Sequence, residues 1–503
     1  MSHKKVAIVG AGITGLSAGC YLQMNGYETE IFELHTVPGG LCTAWKRKGY
    51  TFDTCIHWLV GSSPADPFYR LWNELIDMKR LTFVNHNVYI QVEDKSGKTI
   101  RVYTDMDKLE KELLEKAPED RRQILPFIRA ARKFSKFQTP IDKAPQLMTP
   151  LDGIKMAVRT LPYALDLMKW IKISAQEFAD RFQNPLMKKT IEFMFLPEMA
   201  TLFLAFTLSW MHKKSAGYPI GGSLPFARRI EEKYLSLGGK IHYGSRIRTI
   251  LTKGEPPKSK ATGVLLENGK TVNADIVVSA ADGHATIFDM LEGKFVDDTV
   301  RSYYDGFKTF PSYIQVSLGV KRTFEGESHA LYFPIGKPIA IDDGNASDHI
   351  GVLIYNFDPT MAPKGKTVLT VLFTTRNHAY WIDLKKNDPK KYKAEKDRIA
   401  EAVITSLEKR FGGIRSSVEE IDVSTPATVI RYTNNWKGSF EGWLLTPKTG
   451  LRQMKKNLPG LSDFYMAGQW VEPGGGLPSS ILSARNVTQM ICRADGKAFR
   501  VRS

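Results

Sequence analysis

The first 33 residues alternate between short apolar runs and glycine-rich breaks. Val6–Val9 is an uninterrupted apolar run, which is typical of a strand buried in a parallel sheet. Apolar side chains then recur at helical spacing from Leu16 to Leu22, and Gly26 is placed to end the helix. A second run, Thr29–Glu33, has strand character and closes on an acid. The pattern predicts a strand–helix–strand unit at the start of an α/β domain.

Later runs extend this picture. Met199–Met211 is an apolar stretch of 13 residues. A bilayer span needs roughly 20 residues, so a buried helix is predicted instead. Gly263–Leu266 leads to an Asn268-Gly269 turn signal, which predicts a β-hairpin. Phe464–Gly468 is predicted to be a strand that ends in glycine.

The glycine-rich break after the first strand contains a ligand-binding motif. It reads Gly10-Ala11-Gly12-Ile13-Thr14-Gly15, a GxGxxG motif. Gly10 permits a tight turn, Gly12 lets a pyrophosphate approach the backbone, and Gly15 lets helix and strand pack closely. Glu33 is placed to accept a hydrogen bond from the adenosine ribose, and its charge disfavours the 2′-phosphate of NADP. This order of strand, glycines, helix and acid predicts a dinucleotide-binding fold, with Ala11 and Thr14 among the cofactor-binding residues.

Composition limits the possibilities further. A chain of 503 residues predicts two to four domains, and its 43% of hydrophobic residues supply sizeable cores. Four cysteines without a CxxC pair exclude a disulfide framework and a cysteine-rich zinc site. The first residues also lack the apolar core of a signal peptide. We therefore expect a cytoplasmic protein.

The net charge of +17 is distributed unevenly. Residues 121–172 carry 11 Lys and Arg side chains against three Asp, interleaved with apolar and aromatic residues. This composition is typical of a helical segment on an anionic membrane surface, and also of an ordinary solvated helical face. Residues 121–172 are thus a candidate membrane-associating segment, which would hold the protein on the inner face of a membrane. No nucleic-acid-binding motif accompanies the charge, so no nucleic acid partner is expected.

A glycine doublet distinguishes between dinucleotides. Gly39-Gly40 follows soon after the ribose-binding acid and allows a second close approach of backbone to an extended cofactor, which favours FAD. The block from this doublet to Asp53 resembles the carotenoid desaturases, carotenoid isomerases and retinol saturases, which are amine-oxidase-like flavoproteins. Desaturases of this group often have Arg after the doublet, whereas this chain has Leu41. The resemblance implies that Gly39, Gly40 and Leu41 contact FAD.

Two further blocks are similar to the same family. Tyr218–Ile250 resembles its turn, helix and strand, with the strand Ile241–Ile250, including Ile247, beside the adenine, and Ala274–Ala281 matches a strand of the same domain. The third block resembles the family's flavin-binding signature and contains Gly468, Gly474, Gly475, Gly476 and Leu477. Its glycines allow backbone contact with a flat ring, and the N-terminus of the following helix would stabilise negative charge on a reduced flavin. Gln469 stands where many related flavoproteins have an acid.

The blocks define an expected domain organisation. We predict an α/β fold in which a discontinuous Rossmann-type FAD-binding domain comprises residues 1–90, 215–300 and 420–503. Residues 91–214 and 301–419 match the family weakly and are predicted to form an inserted α+β substrate domain. No second GxGxxG unit follows, so a separate NAD(P) domain is not expected.

Candidate catalytic residues lie close in sequence to the cofactor segments. His57 follows the strand that runs towards the flavin, and Glu472 lies in the flavin loop, so either could move the proton that accompanies hydride transfer. The flanking aromatic and polar residues predicted to contact substrate are Trp58, Trp470, Asn434 and Trp436. No HxxxH, HExxH or carboxylate cluster predicts a metal site.

The favoured hypothesis is an FAD oxidoreductase that desaturates, saturates or isomerises a polyene or isoprenoid at a membrane surface. Its electron partner would be a quinone, oxygen or another external donor or acceptor. One alternative is an amine-oxidase-like enzyme acting on an amine, a porphyrinogen or an unsaturated fatty acid. A second alternative is a non-catalytic escort protein that binds prenyl lipids.

Overall fold

A parallel sheet forms around the N-terminal strand. The protein is seen here in a computed structural model that describes residues 4–450, 452 and 454–501. Residues 1–3, which belong to the segment predicted to lack a signal-peptide core, lie outside the described residues. In spatial order, the strands are Lys240–His242, Glu28–Phe32, Lys5–Val9, Ile276–Ser279 and Phe464–Met466. We call this the nucleotide sheet. Its inner strands are buried on both faces, as parallel sheets require.

Helices and a second layer of strands cover the two faces of the nucleotide sheet. The helices Ile13–Met24, Ser223–Ser236 and Gly476–Ala494 pack together on one face. The opposite face is covered by antiparallel strands Ile247–Lys253, Ser259–Leu266 and Thr271–Asn273, with Leu461–Ser462 at the edge. The predicted strand–helix–strand unit, the hairpin at Gly269 and the strand before Gly468 are all confirmed.

A mixed sheet forms the second large core, which we call the substrate sheet. In spatial order, its described strands are Val418–Ser424, Ser312–Val320, Thr367–Thr375, Asn345–Ile354, Ala330–Asp342, Val88–Glu93 and Thr99–Tyr103. The helix Pro389–Phe411 packs on it through Val403 and Leu407. The predicted domain divisions at 90/91 and 419/420 each fall within a strand of this sheet, and the division into domains stays a prediction.

Helices fill the space beside the substrate sheet. They are Met106–Lys116, Arg121–Phe134, Pro150–Thr160, Ala164–Ile171, Ala175–Ala179, Pro185–Met194 and Thr201–His212. The last confirms the helix predicted in the apolar run from Met199, and most of its residues are buried. Elsewhere lie helices Pro67–Leu75, Asp298–Gly306, His378–Asn387 and Pro426–Thr433. Short strands complete the fold: Ala44–Arg47, Tyr50–Asp53, Leu59–Val60, Phe83–Val84 and Ala216–Pro219.

One predicted strand is corrected. The run Ile241–Ile250 is not continuous: Lys240–His242 joins the nucleotide sheet, whereas Ile247–Lys253 joins the antiparallel layer. Between them the backbone turns at Gly244, which has a φ of +61° and donates its N–H to the carbonyl of His35. Residues Gly244, Ser245 and Arg246 form a polar break with a turn residue between the two strands, and the prediction of one continuous strand overlooked this signal.

Candidate active site

A large cavity opens where the strands of the nucleotide sheet end. Gly10, Glu33 and Ala280 follow the carboxyl ends of three neighbouring strands and line this cavity. Open α/β sheets bind ligands at this edge. The cavity has a volume of about 1,560 Å³ and extends as far as helix Pro150–Thr160. A single small-molecule site takes roughly 300–1,000 Å³, so this cavity has room for more than one ligand.

The N-terminus of helix Ile13–Met24 faces the cavity. Gly12 and Thr14 line it, and no side chain caps the helix. The free N–H groups of the first turn are therefore available to a phosphate. A Cβ built on Gly12 would meet Gly39 O at 3.9 Å and nothing nearer, whereas one on Gly15 would lie 1.9 Å from Gly10 O. Gly12 thus leaves room for a ligand, while Gly15 serves close packing.

Glu33 is fixed beside this helix. Its Oε2 accepts a hydrogen bond of 2.6 Å from the N–H of Ala11, and Oε1 accepts one of 2.8 Å from the N–H of His35. Burial raises the pKa of Glu33 above its ordinary value, and these backbone donors oppose the shift. The two hydrogen bonds orient the carboxyl group and leave further lone pairs for a hydroxyl donor such as a ribose.

The backbone of the doublet Gly39-Gly40 packs against the GxGxxG motif. The N–H of Gly39 donates to Ala11 O at 2.9 Å, and a Cβ on Gly40 would lie 3.3 Å from Gly12 Cα. The doublet and the following Leu41 line the cavity. The first two segments predicted to bind the cofactor are therefore in contact with each other.

The glycine-rich loop lies at the other end of the cofactor region. Gly474, Gly475 and Gly476 have φ values of +96°, +55° and +82°, a conformation that favours glycine, and no side chain caps the helix that follows. Gly468 packs against Thr14, because a Cβ there would lie 2.9 Å from Thr14 Oγ1. The predicted cofactor residues that line the cavity are Gly10, Gly12, Thr14, Glu33, Gly39, Gly40, Leu41, Ile247, Gly468, Gly474, Gly475, Gly476 and Leu477. Ala11 and Gly15 lie behind them.

His57 and Trp58 line the cavity next to the cofactor region. Burial lowers the pKa of His57 to about 4, so its imidazole is neutral at neutral pH. Trp58 packs edge-to-face on Tyr89 and Phe195, with ring centroids 5.6 and 6.4 Å apart. A neutral imidazole and an aromatic wall suit an apolar ligand better than a charged one.

Glu472 lines the cavity but is not free. Its Oε1 accepts a hydrogen bond of 2.5 Å from Lys456 Nζ, and the Lys456 side chain is 0% exposed. The pair is neutral overall, and each charge is satisfied by the other. Its geometry indicates that Glu472 anchors the flavin loop to the segment around Lys456, which the sequence did not reveal.

The four predicted substrate residues do not lie together. Trp58 and Trp470 line the cavity. Asn434 lines it at the nucleotide end, where its Oδ1 accepts a hydrogen bond of 3.2 Å from Arg246 Nη2. Trp436 is not among the cavity-lining residues: it stacks on His284 at 4.9 Å and packs behind Trp470 at 6.2 Å.

The sequence analysis did not single out two polar features of the cavity wall. Glu441 lines the cavity beside the glycine-rich loop. His86 and His329 stack face to face with ring centroids 3.5 Å apart, and burial lowers the pKa of His86 to about 4. The sequence did hold a signal for Glu441, because this acid stands alone in the otherwise apolar run Phe440–Leu445. His86 and His329 lie on separate strand-flanking segments, so no local pattern connects them.

Part of the basic segment forms the far wall of the cavity. Met156, Ala157, Thr160 and Leu167 line it from helices Pro150–Thr160 and Ala164–Ile171. The outer faces of these helices and the turn between them carry exposed apolar side chains: Leu151, Ile154 and Val158 on the first helix, Leu161 in the turn, and Leu165 and Met168 on the second helix. In contrast, the apolar residues of helix Arg121–Phe134 are mostly buried in the core. In the described part of the chain, no helix is long and apolar enough to cross a membrane.

Comparison with known proteins identifies the family. The sequence profile of the flavin-containing amine oxidoreductases matches residues 13–492. The chain belongs to this family. The prolycopene isomerase 1 of an Oncidium hybrid cultivar is 25% identical over 500 residues, covering 93% of this chain and 80% of that protein. The zeta-carotene-forming phytoene desaturase of Myxococcus xanthus is 24% identical over 515 residues, covering 97% and 94%.

The fold is also that of solved flavin amine oxidases. A putrescine oxidase redesigned in its cofactor binding superposes with a TM-score of 0.64 at 14% identity, covering 98% of this chain and 99% of that one. The likeness extends over both sheets and confirms the predicted α/β fold class.

Family membership makes FAD the cofactor, and the cavity fits it. The uncapped helix at Gly12 would bind the pyrophosphate, Glu33 the ribose, and the uncapped helix at Gly476 the flavin ring. When bound, FAD would supply the redox chemistry of the site. Leu41 and Gln469, which stand where flavoproteins of the resembling family often have charged side chains, both line the cavity.

Proposed function

We propose that this FAD oxidoreductase desaturates, saturates or isomerises carbon–carbon double bonds of a long hydrophobic polyene, by hydride transfer at flavin N5. The observation that carries the proposal is the wall of the cavity beyond the flavin loop. Its aromatic and apolar residues include Trp58, Tyr89, Phe193, Phe195, Leu202, Phe203, Phe206 and Trp210. Such a lining binds an apolar chain through burial of its surface. The carotenoid substrates named for the relatives are of this class.

We further propose that the substrate enters from a membrane surface at helices Pro150–Thr160 and Ala164–Ile171. Lys155, Arg159 and Lys169 are exposed beside the apolar side chains of these helices. Asp152 and Asp166 form ion pairs with Lys143 and Lys133. The charge that stays unpaired on these two helices is therefore positive. Apolar contacts with a basic fringe bind an anionic lipid surface. A polyene dissolved in lipid would then reach the cavity without crossing water.

The experiment is an anaerobic titration of the purified holoenzyme with polyene-loaded liposomes, followed by flavin absorbance and product analysis. Bleaching of oxidised flavin with formation of a new double bond supports desaturation. Product that forms only after the flavin has been reduced supports saturation or isomerisation. An amine substrate would instead give hydrogen peroxide in air. If neither oxidised nor reduced enzyme changes any polyene tested, the proposed substrate class is wrong.

A further inference from the structure

Five acidic side chains line the cavity, counted among the described residues: Glu33, Glu192, Asp282, Glu441 and Glu472. Glu33 and Asp282 accept hydrogen bonds from backbone N–H groups. Glu192 is paired with Lys189, and Glu472 with Lys456. For the Glu441 side chain, no hydrogen bond or ion pair is present within the described part of the chain. Its carboxyl group therefore has no assigned protein partner.

The carboxyl group of Glu441 lies directly on the flavin loop. A Cβ built on Gly475 would lie 2.4 Å from Glu441 Cγ, and one built on Gly476 would lie 3.0 Å from Glu441 Oε1. The Glu441 side chain therefore lies against both glycines of the loop. The acid is thereby held at the N-terminus of helix Gly476–Ala494, where the cofactor region of the cavity meets the apolar part.

The surroundings of Glu441 keep it protonated. Burial raises its pKa to about 8, and no neighbouring charge contributes to the shift. Tyr313 packs on Phe440, the neighbour of Glu441 in the chain, with ring centroids 6.2 Å apart, and burial raises the pKa of its phenol, so it brings no charge. Glu472, in the flavin loop, is compensated by Lys456. At neutral pH, Glu441 is a carboxylic acid that can donate a proton into the cavity.

We propose that Glu441 is the acid that delivers a proton to the polyene carbon next to the carbon that exchanges hydride with the flavin. This role rests on the function proposed above. In the saturating direction, Glu441 would supply a proton to one carbon of the double bond, and FAD bound in its reduced form would supply a hydride to the neighbouring carbon. The π bond would break, two C–H bonds would form, the cofactor would end oxidised, and the Glu441 carboxylate would regain a proton from water. Desaturation is the same step in reverse, with Glu441 as the base.

The first test needs no substrate. The absorption spectrum of the holoenzyme is recorded from pH 6 to 9.5 for the native protein, for Glu441→Gln, and for Glu192→Gln as a matched control at a partnered cavity acid. A carboxyl group ionising beside the flavin changes its spectrum, so the native protein and Glu192→Gln should show a transition near pH 8 that Glu441→Gln lacks. If Glu441→Gln does not hold FAD, infrared difference spectra between the same pH limits are compared for the native protein and Glu441→Gln, both without FAD. The loss of a protonated carboxyl band that only the native protein shows belongs to Glu441, since burial also raises the pKa of Asp282 to about 7 and Asp282 is present in both proteins.

The second test measures the conversion of polyene in liposomes under single-turnover conditions. Glu441→Gln should convert substrate at least about 100-fold more slowly, and only the native rate should change across pH 8. Equal rates in the two proteins, or identical spectral titrations, would overturn the role of Glu441 while leaving the polyene function intact. If the native protein converts no polyene, the proposed function fails, and the titration still shows whether an acid ionises beside the flavin.

Discussion

The buried ion pair between Lys456 and Glu472 can be tested directly by removing one partner. Lys456→Met keeps the length of the side chain but leaves the Glu472 carboxylate, 11% exposed, without its counter-charge. Breaking a buried pair in this way costs about 3–5 kcal/mol, because an uncompensated charge stays inside the protein. We expect the low end of this range, since Glu472 also borders the cavity and water can reach it there.

The assay is urea unfolding at saturating and equal FAD, so that cofactor binding contributes equally to every variant. Lys260→Met is the matched control, since Lys260 pairs with Asp463 at the surface at 3.3 Å and exposed pairs contribute about 0–1 kcal/mol. The double change Lys456→Met with Glu472→Leu should recover most of the lost stability, because neither charge remains. A loss in Lys456→Met no larger than in Lys260→Met would refute the anchoring role of the pair and return Glu472 to the catalytic candidates.

Other predictions concern the cofactor, the membrane and pH. Gly12→Ala should fold normally but lose FAD absorbance on purification, whereas Gly15→Ala should lower the unfolding midpoint, because the added Cβ would lie 1.9 Å from a backbone oxygen at Gly15 and no nearer than 3.9 Å to any atom at Gly12. Leu165→Glu should weaken liposome binding about 10-fold or more in a flotation assay, whereas Leu235→Glu, on another surface, should not. Folding lowers the pKa of His57 to about 4, against an unfolded value near 6.5. The part of the unfolding free energy that comes from keeping His57 neutral is therefore complete above pH 6.5, and it falls by at most about 3 kcal/mol as the pH drops to 4. His57→Asn should reduce this pH dependence in urea titrations.

The cofactor site was predictable because its information is local. The turn at Gly10, the helix behind it and the acid at Glu33 lie within one strand–helix–strand unit, and parallel pairing brings their ends to one edge. The glycine doublet also lies beside the first turn as expected, since the N–H of Gly39 donates a hydrogen bond to the carbonyl of Ala11. The loop Gly474–Gly476 is distant in sequence, and it was recognised through its resemblance to a known signature rather than from periodicity.

The polar groups of the cavity wall could not be predicted in this way. Glu441 was embedded in an apolar run, and its contact with Gly475 and Gly476 exists only after the two C-terminal segments have packed. His86 and His329 meet because strands Val88–Glu93 and Ala330–Asp342 pair in the substrate sheet. A sequence pattern gives the face of each element but not the neighbour that covers it.

The basic segment shows the same limit on the scale of whole helices. Helices Arg121–Phe134 and Pro150–Thr160 both combine basic and apolar residues, yet the first buries Ile124 and Phe127 in the core and the second buries none of its residues. Periodicity alone could not distinguish them, because an amphipathic helix looks the same whether protein or lipid covers its apolar face. The cavity distinguishes them: of these two helices, only the second lines it, at the place where we propose that a lipid-borne substrate enters. Under that proposal, function explains the exposed apolar surface, since folding alone would favour its burial.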